Sequence, residues 1–149
     1  MANPVVNGSM IKCSMACSLP PGAPVPKAPS YPPGLPASFI VNPSNKVISG
    51  NQAIATIMDN QILPFQMSCM SQSNPTVQAA SQAATAAAAG TPMFVPAPCT
   101  PVISGPWSTG CQNCMISKKN LLNNTSKLVC SMGGMIEVVS TPAMKVKVP

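Results

Sequence analysis

Short runs of alternating apolar and polar residues dominate the chain, and sustained helical faces are scarce. Residues 4–17 read as a strand, a turn at Asn7-Gly8 and a return strand, since both turn residues tolerate positive φ. A second β-type pair flanks Gly50-Asn51. Lys46 to Ser49 lies before it, and after it Ala53, Ala55 and Ile57 alternate with Ile54, Thr56 and Met58. A third β unit spans 115–139, with runs at Met115-Ile116, Lys118 to Asn124, Lys127 to Cys130 and Met135 to Val139. In the tail, residues 140–149, Lys145-Val146-Lys147-Val148 reads as an edge strand blunted by its lysines.

Two segments break this pattern. Asn74 is a good N-cap, Pro75 suits the first helical position, and Ala fills eight of positions 75–89. Gly90 and Pro92 then stop the helix. The expected Ala-rich helix over 75–89 is about 22 Å long. No polar constellation lies on it, so it reads as a packing element. Residues 18–36 hold eight prolines. They predict an extended surface loop that can neither donate to a sheet nor form a helix. It reads as a packed covering strap, with a ligand for a proline-recognition domain as the alternative.

The β units resemble one another. Val5-Val6-Asn7-Gly8 leads to Lys12-Cys13-Ser14-Met15, Val47-Ile48-Ser49-Gly50 leads to Ser68-Cys69-Met70, and Met115-Ile116-Ser117 leads to Val129-Cys130-Ser131-Met132. Each has a β run, a turn, another β run and then a Cys. Cys-Ser-Met recurs unchanged in the first and third. A lone hairpin is marginally stable, but three around one axis bury a shared centre. A mainly β, pseudo-threefold set of hairpins with one inserted helix is therefore expected, with the Cys residues converging near the axis. The 149 residues suit a single domain, 1–149.

Composition narrows the chemistry. There is no His and only two acids, Asp59 and Glu137, so no Ser-His-Asp or Cys-His pair can exist. Asp59 reads as a turn residue rather than an acid catalyst. The net charge is +6, and all eight basic residues are scattered lysines (12, 27, 46, 118, 119, 127, 145 and 147). Without Arg forks or many aromatics this is a solubility charge, and no nucleic-acid partner is expected. The opening residues lack a secretory pattern, and no stretch approaches the ~18–20 apolar residues of a membrane helix. Folding in the cytoplasm is expected, where thiols stay reduced. The seven Cys then favour metal ligation or core packing over disulfides.

Many small motifs follow one another along the chain: Val5-Val6-Asn7-Gly8 with Lys12-Cys13-Ser14; Gly50-Asn51-Gln52-Ala53 with Ile57-Met58-Asp59; Pro64-Phe65 with Cys69; Asn74-Pro75 and the Ala-rich run; Thr91-Pro92 with Cys99; Pro106-Trp107; Leu121 to Lys127; and Cys130 with Gly133-Gly134. In this order they resemble the PAAR-like tip proteins of contractile injection systems, such as type VI secretion, in a branch of unknown function. The likeness covers nearly all of the chain except the Pro-rich loop and the tail. It implies a small conical β fold without catalytic activity, capping a trimeric spike of the valine-glycine-repeat (VgrG) type and sharpening it for membrane puncture. Effectors or baseplate components are further implied partners, and the target membrane is met only during puncture. The protein would sit in the cytoplasm at the machine's tip and leave the cell on firing. Three features depart from the family pattern. The usual Gly-Gly-Xaa-Pro turn reads Ser117-Lys118-Lys119-Asn120, Gln52 stands where Pro is common, and Cys17, Cys111 and Cys114 are additional.

Familiar PAAR tips hold zinc with His and Cys, so a site here would be all-Cys. Cys13, Cys69 and Cys130 end the three repeats and Cys99 lies in the Thr-Pro segment. Together they supply the four thiolates of a closed structural zinc site. Two alternatives stand beside it. Cys111-Gln112-Asn113-Cys114 is a zinc half-site or redox pair, which would make the chain a small cytoplasmic zinc-binding or redox module. Otherwise the cysteines are buried thiols or disulfides without metal, the disulfides fitting a Pro-rich secreted structural protein.

Overall fold

The computed structural model describes residues 2–41, 46–62, 65, 68–143 and 145–149. Pro64 of the Pro64-Phe65 motif lies outside them. In chain order the strands are β1 (Met10–Cys13), β2 (Ala16–Cys17), β3 (Val25–Pro26), β4 (Ala37–Ser38), β5 (Ile48–Ser49), β6 (Gln52–Ala53) and β7 (Ser68–Cys69). The helix α1 (Pro75–Ala87) follows. Then come β8 (Met93–Phe94), β9 (Ala97–Pro98), β10 (Cys111–Ile116), β11 (Lys119–Leu121), β12 (Lys127–Val129) and β13 (Met135–Ser140). The fold is mainly β, built of several small sheets with one helix among the described residues, as the alternation predicted.

Three backbone segments close a ring about a pseudo-threefold axis. The Val5 N–H donates to the Leu122 carbonyl (3.0 Å), Leu122 to Ala55 (2.9 Å), and Ala55 back to Val5 (2.8 Å). Two residues further on, Asn7 donates to Ala53 (2.9 Å), Ile57 to Asn120 (3.0 Å) and Asn124 to Asn3 (3.0 Å). Residues 3–9, 53–59 and 120–126 are therefore equivalent. Val5, Ala55 and Leu122 are fully buried, so their amides have no water to fall back on. The ring satisfies each of them through a neighbour on the axis.

Each segment ends in the same turn. Ser9, Asp59 and Ser126 donate their N–H to Val6, Thr56 and Asn123, each at 3.0 Å. Their side-chain oxygens accept in return from the same three residues' N–H groups, at 3.1, 2.7 and 3.3 Å. Asp59 thus stands where its counterparts are Ser, and it acts as a turn residue. The strand feeding each segment is equivalent too. Ser49 pairs with Gln52, Ile116 with Lys119, and Val148 with Ala2. In two units the feeding strand precedes its segment through a tight turn, while in the first it is supplied by the tail. The expected edge strand at 145–148 is reduced to this one bridge.

The repeat is real, but its register differs from the one read along the sequence. Val47-Ile48-Ser49-Gly50 and Met115-Ile116-Ser117 belong to the feeding strands, whereas Val5-Val6 belongs to the axis. The counterparts of Val5 are Ala55 and Leu122. The turn residues explain the slip. Gly50 and Asn51 both have positive φ (59° and 65°), as do Ser117 and Lys118 (51° and 65°), which is the type I′ geometry of a tight hairpin. At Asn7-Gly8 only Gly8 does (83°). That turn splays its arms, so the expected hairpin over 4–17 does not form. Val6 bridges Ile54, and β1 pairs with β13 and β4 instead.

The main core surrounds the axis and includes Val5, Ile11, Phe39, Leu122, Leu128 and Ile136. Phe39 and Trp107 meet edge to face with centroids 5.8 Å apart. The Trp107 Nε1–H donates to the Asp59 carbonyl (2.9 Å), which ties the residue to the second turn.

Helix α1 starts as expected, with Asn74 Oδ1 accepting from the Thr76 N–H (3.0 Å). It ends at Ala87, two residues short of the expected 89, because Ala89 (φ 55°) already turns left-handed ahead of Gly90 (φ 87°). The helix is not purely apolar packing. Ser81 Oγ accepts from Val95 N–H (3.0 Å) and Thr85 Oγ1 from Met93 N–H (3.1 Å), fastening the helix along β8. The Pro-rich strap covers this unit, with Tyr31 stacked on Phe94 at 4.7 Å. It also joins a sheet, contrary to expectation. Its prolines cannot donate, but Gly22, Lys27 and Gly34 between them do, to Pro96 (2.8 Å), Pro92 (3.2 Å) and Ala16 (3.0 Å).

Candidate functional site

The three equivalent turns deliver cysteines to one place. Cys13 follows Ser9 by four residues and Cys130 follows Ser126 by four. Cys69 follows Asp59 by ten, because extra chain intervenes in the second unit. Antiparallel pairing then gathers the rest. Cys69 on β7 lies opposite Ala16 on β2 and Ala97 on β9, and Cys99 follows β9 directly. Cys130 is held by its N–H to the Gly134 carbonyl (2.9 Å) and by a bridge to Ile103. All four thiols are buried.

They sense one another electrostatically. The Cys99 thiol hydrogen-bonds the Cys69 sulfur, and this contact holds Cys69 down at about 6, helped by the Ser71 backbone and the Asn74 side chain against the cost of burial. Cys99 is pushed up, first by donating that bond, then by burial, then by Cys13, Cys69 and Cys130. Burial raises Cys13, with Cys130 and Cys69 adding to the effect against backbone hydrogen bonds from Met15 and Ala16. The structure thus brings Cys13, Cys69, Cys99 and Cys130 into one neighbourhood. Cys17 is buried beside them and raised chiefly by desolvation. Its proximity to Cys69 could not be read from the sequence, since it depends on β2 pairing with β7.

Gly134 shows how tightly this corner is built. A Cβ there would stand 2.6 Å from the Cys13 sulfur. Beside Cys13 a surface cavity of about 220 Å³ opens between Lys12, Ser14, Tyr31, Pro33 and Met70, giving solutes a way in. Four thiolates around zinc at about 2.3 Å lie about 3.8 Å from one another. Among the described residues no group of three or more His, Cys, Asp or Glu side chains stands in such a metal-holding arrangement. The quartet is a neighbourhood in which the Cys99 thiol hydrogen-bonds Cys69 and the others act on it through charge. Its chemistry fits zinc in three respects: four sulfur donors, burial, and one thiol, Cys69, that its hydrogen bond from Cys99 holds below the ordinary value.

Cys111 and Cys114 lie elsewhere. Cys111 is buried in a second apolar cluster with Val6, Ile54, Leu121 and Val148. Cys114 is half-buried and hydrogen-bonds the Cys111 sulfur, which holds its own thiol above the ordinary value. The two acids are also apart in their roles. Asp59 binds the Thr56 N–H and hydroxyl, while Glu137 pairs with Lys127 at 3.1 Å. No helix among the described residues is long and apolar enough to cross a membrane.

Compared with known proteins, the chain matches no curated protein and no solved structure. Residues 5–142 match one family profile, described as a domain of unknown function, DUF4280. That span runs from the first residue of the axial ring to two residues past β13 and contains all seven cysteines. The chain therefore belongs to the DUF4280 family.

Proposed function

We propose that this chain is a non-enzymatic tip protein of a contractile injection system, seated on the blunt end of a trimeric VgrG-type spike. The observation that carries the reading is the ring of Val5, Ala55 and Leu122, which repeats one backbone pattern three times within a single chain. A trimeric partner ends in three equivalent strand edges. One chain can cover all three only if its own backbone recurs with the same symmetry. The resemblance of the ordered motifs to PAAR-like proteins supports the same assignment. So does a compact β body braced on its axis, as a part under load requires.

In this reading Cys13, Cys69, Cys99 and Cys130 hold a structural zinc ion that staples the three turns together. The metal would supply cross-linking rather than catalysis. The protein assembles at the machine's tip in the cytoplasm and is carried outward on firing. Effectors or baseplate components attach to the surface left free by the spike.

The test is co-purification of the full chain with a VgrG-type spike trimer from the same organism, followed by electron cryomicroscopy. One copy per trimer on the spike end is expected, and an assembled spike with no bound chain overturns the reading. Zinc content is measured separately. About one zinc per chain is expected, lost in the Cys13→Ser/Cys130→Ser variant and retained in Cys111→Ser/Cys114→Ser.

A further inference from the structure

The Cys111–Cys114 pair is left over once the quartet and the axis are accounted for. In a straight strand, residues three apart lie about 10 Å from each other and point to opposite faces. Strand β10 is not straight. Cys111 lies opposite Leu121 on β11, yet Met115 lies opposite Asn120, so four steps along β10 answer one step along β11. Gln112, Asn113 and Cys114 are the surplus, and they form a bulge. The bulge folds the chain back and brings the Cys114 thiol towards the Cys111 sulfur.

The two thiols differ in access. Cys114 is half-buried at the surface, whereas Cys111 is 3% exposed and packed in the second apolar cluster. One sulfur a solute can reach, backed by a shielded sulfur already in contact with it, is the arrangement of an attacking and a resolving thiol.

We propose that Cys111 and Cys114 form a reversible disulfide that closes the bulge of β10, with a small-molecule disulfide as the oxidant. The Cys114 thiolate attacks one sulfur of the oxidant, forming a mixed disulfide and releasing one thiolate. The Cys111 thiolate then attacks the Cys114 sulfur, forming the internal bond and expelling the second thiolate. The oxidant gains two electrons and takes up the two thiol protons as two small thiols, and the protein loses two hydrogens. Closure also removes the S–H that Cys111 donates to the Pro149 carbonyl at 3.5 Å. Thiol state is thereby linked to the hold on the tail, where Val148 pairs with Ala2. This proposal stands independently of the spike-tip reading and of the zinc quartet.

The full chain, purified under reducing conditions and then desalted, is incubated with glutathione disulfide, quenched in acid and alkylated. Chymotryptic cleavage after Trp107 and Leu121 isolates Cys111 and Cys114 from the other five cysteines. The expected result is a 108–121 peptide about 2 Da lighter, protected from alkylation and restored by dithiothreitol. Cys114→Ser, altering a partly exposed side chain, should leave Cys111 unprotected while the thermal melt stays near that of the parent. Three outcomes overturn the proposal: both cysteines alkylated after oxidation, a lasting glutathione adduct on Cys114, or either cysteine bonded to one of the other five.

Discussion

Replacing Gly134 by Ala tests whether the quartet is held by close packing of backbone against sulfur. Gly134 is not in the left-handed region, so Ala brings no backbone strain there, and only contact decides the outcome. The new Cβ would lie 2.6 Å from the Cys13 sulfur, against 3.4–4 Å for ordinary contact, a shortfall of at least about 0.8 Å. A Cys side chain has a single rotor and cannot bend away at its tip. Either Cys13 turns off its rotamer and leaves the other thiols, or the start of β13 shifts. The second route strains the Cys130 N–H to Gly134 bond (2.9 Å) and the Met135 N–H to Ser14 Oγ bond (2.9 Å). Overpacking of this kind costs about 1–3 kcal/mol. At this chain length that lowers Tm by roughly 2–12 °C. Thermal unfolding by circular dichroism, with zinc content measured alongside, is the assay. Gly105→Ala is the neutral control, since nothing lies within 4 Å of its Cβ position and its φ is ordinary, and it should stay within about 0.5 kcal/mol. Gly110→Ala is the severe control, since its Cβ would run into the Ile57 side chain and meet the Leu121 carbonyl at 3.0 Å. If Gly134→Ala melts and binds metal like Gly105→Ala, the reasoning about this corner is wrong.

Replacing Ser117 and Lys118 by Asn and Gly should stabilise the β10–β11 turn by about 1 kcal/mol, because both residues hold positive φ; denaturant midpoints check this. Asn74→Ala should cost about 0.5–2 kcal/mol through loss of the helix cap. It should also shift Cys69 alkylation to higher pH, since the Asn74 side chain helps hold that thiol low. Asn74→Asp keeps the cap acceptor but sets a negative charge by the sulfur, so the alkylation profile should move up while the helix persists. For the metal-free protein, stability should peak near pH 9. The lowered Cys69 contributes stability that is full above the ordinary thiol value of 9 and lost as pH falls towards about 6. The raised Cys99 contributes stability that is full below 9 and lost as pH climbs beyond it. Denaturant titrations from pH 5 to 10 measure the curve, and stability that falls from pH 6 to pH 8 would refute the sign.

Local signals were legible where the cause is local. Asn74-Pro75 and Gly90 bracket the helix because caps are set by the residues themselves. Gly50-Asn51 and Asn7-Gly8 are both turns, as their residues predict, but only the first makes a hairpin. The difference is the φ of one residue, Asn7, which the dipeptide alone does not fix. The prolines of the strap correctly excluded donation at their own positions. They concealed that Gly22, Lys27 and Gly34, spaced between them, remain free to donate and do.

By itself the sequence determined a mainly β chain with one helix, and it set Cys13, Cys69 and Cys130 at the ends of three similar β units. Cysteine position relative to a repeat survives errors of register, since Cys13 and Cys130 each follow their turn by four residues. Only the tertiary structure decided which residues form the axis. Ala55 and Leu122 share no side-chain likeness with Val5, and what makes them equivalent is a ring of backbone hydrogen bonds that any residue but proline can donate. The tertiary structure alone also brought Val148 beside Ala2 and folded Cys114 onto Cys111. Both contacts depend on where distant or surplus residues are placed by their neighbours, and composition and spacing carry no record of that.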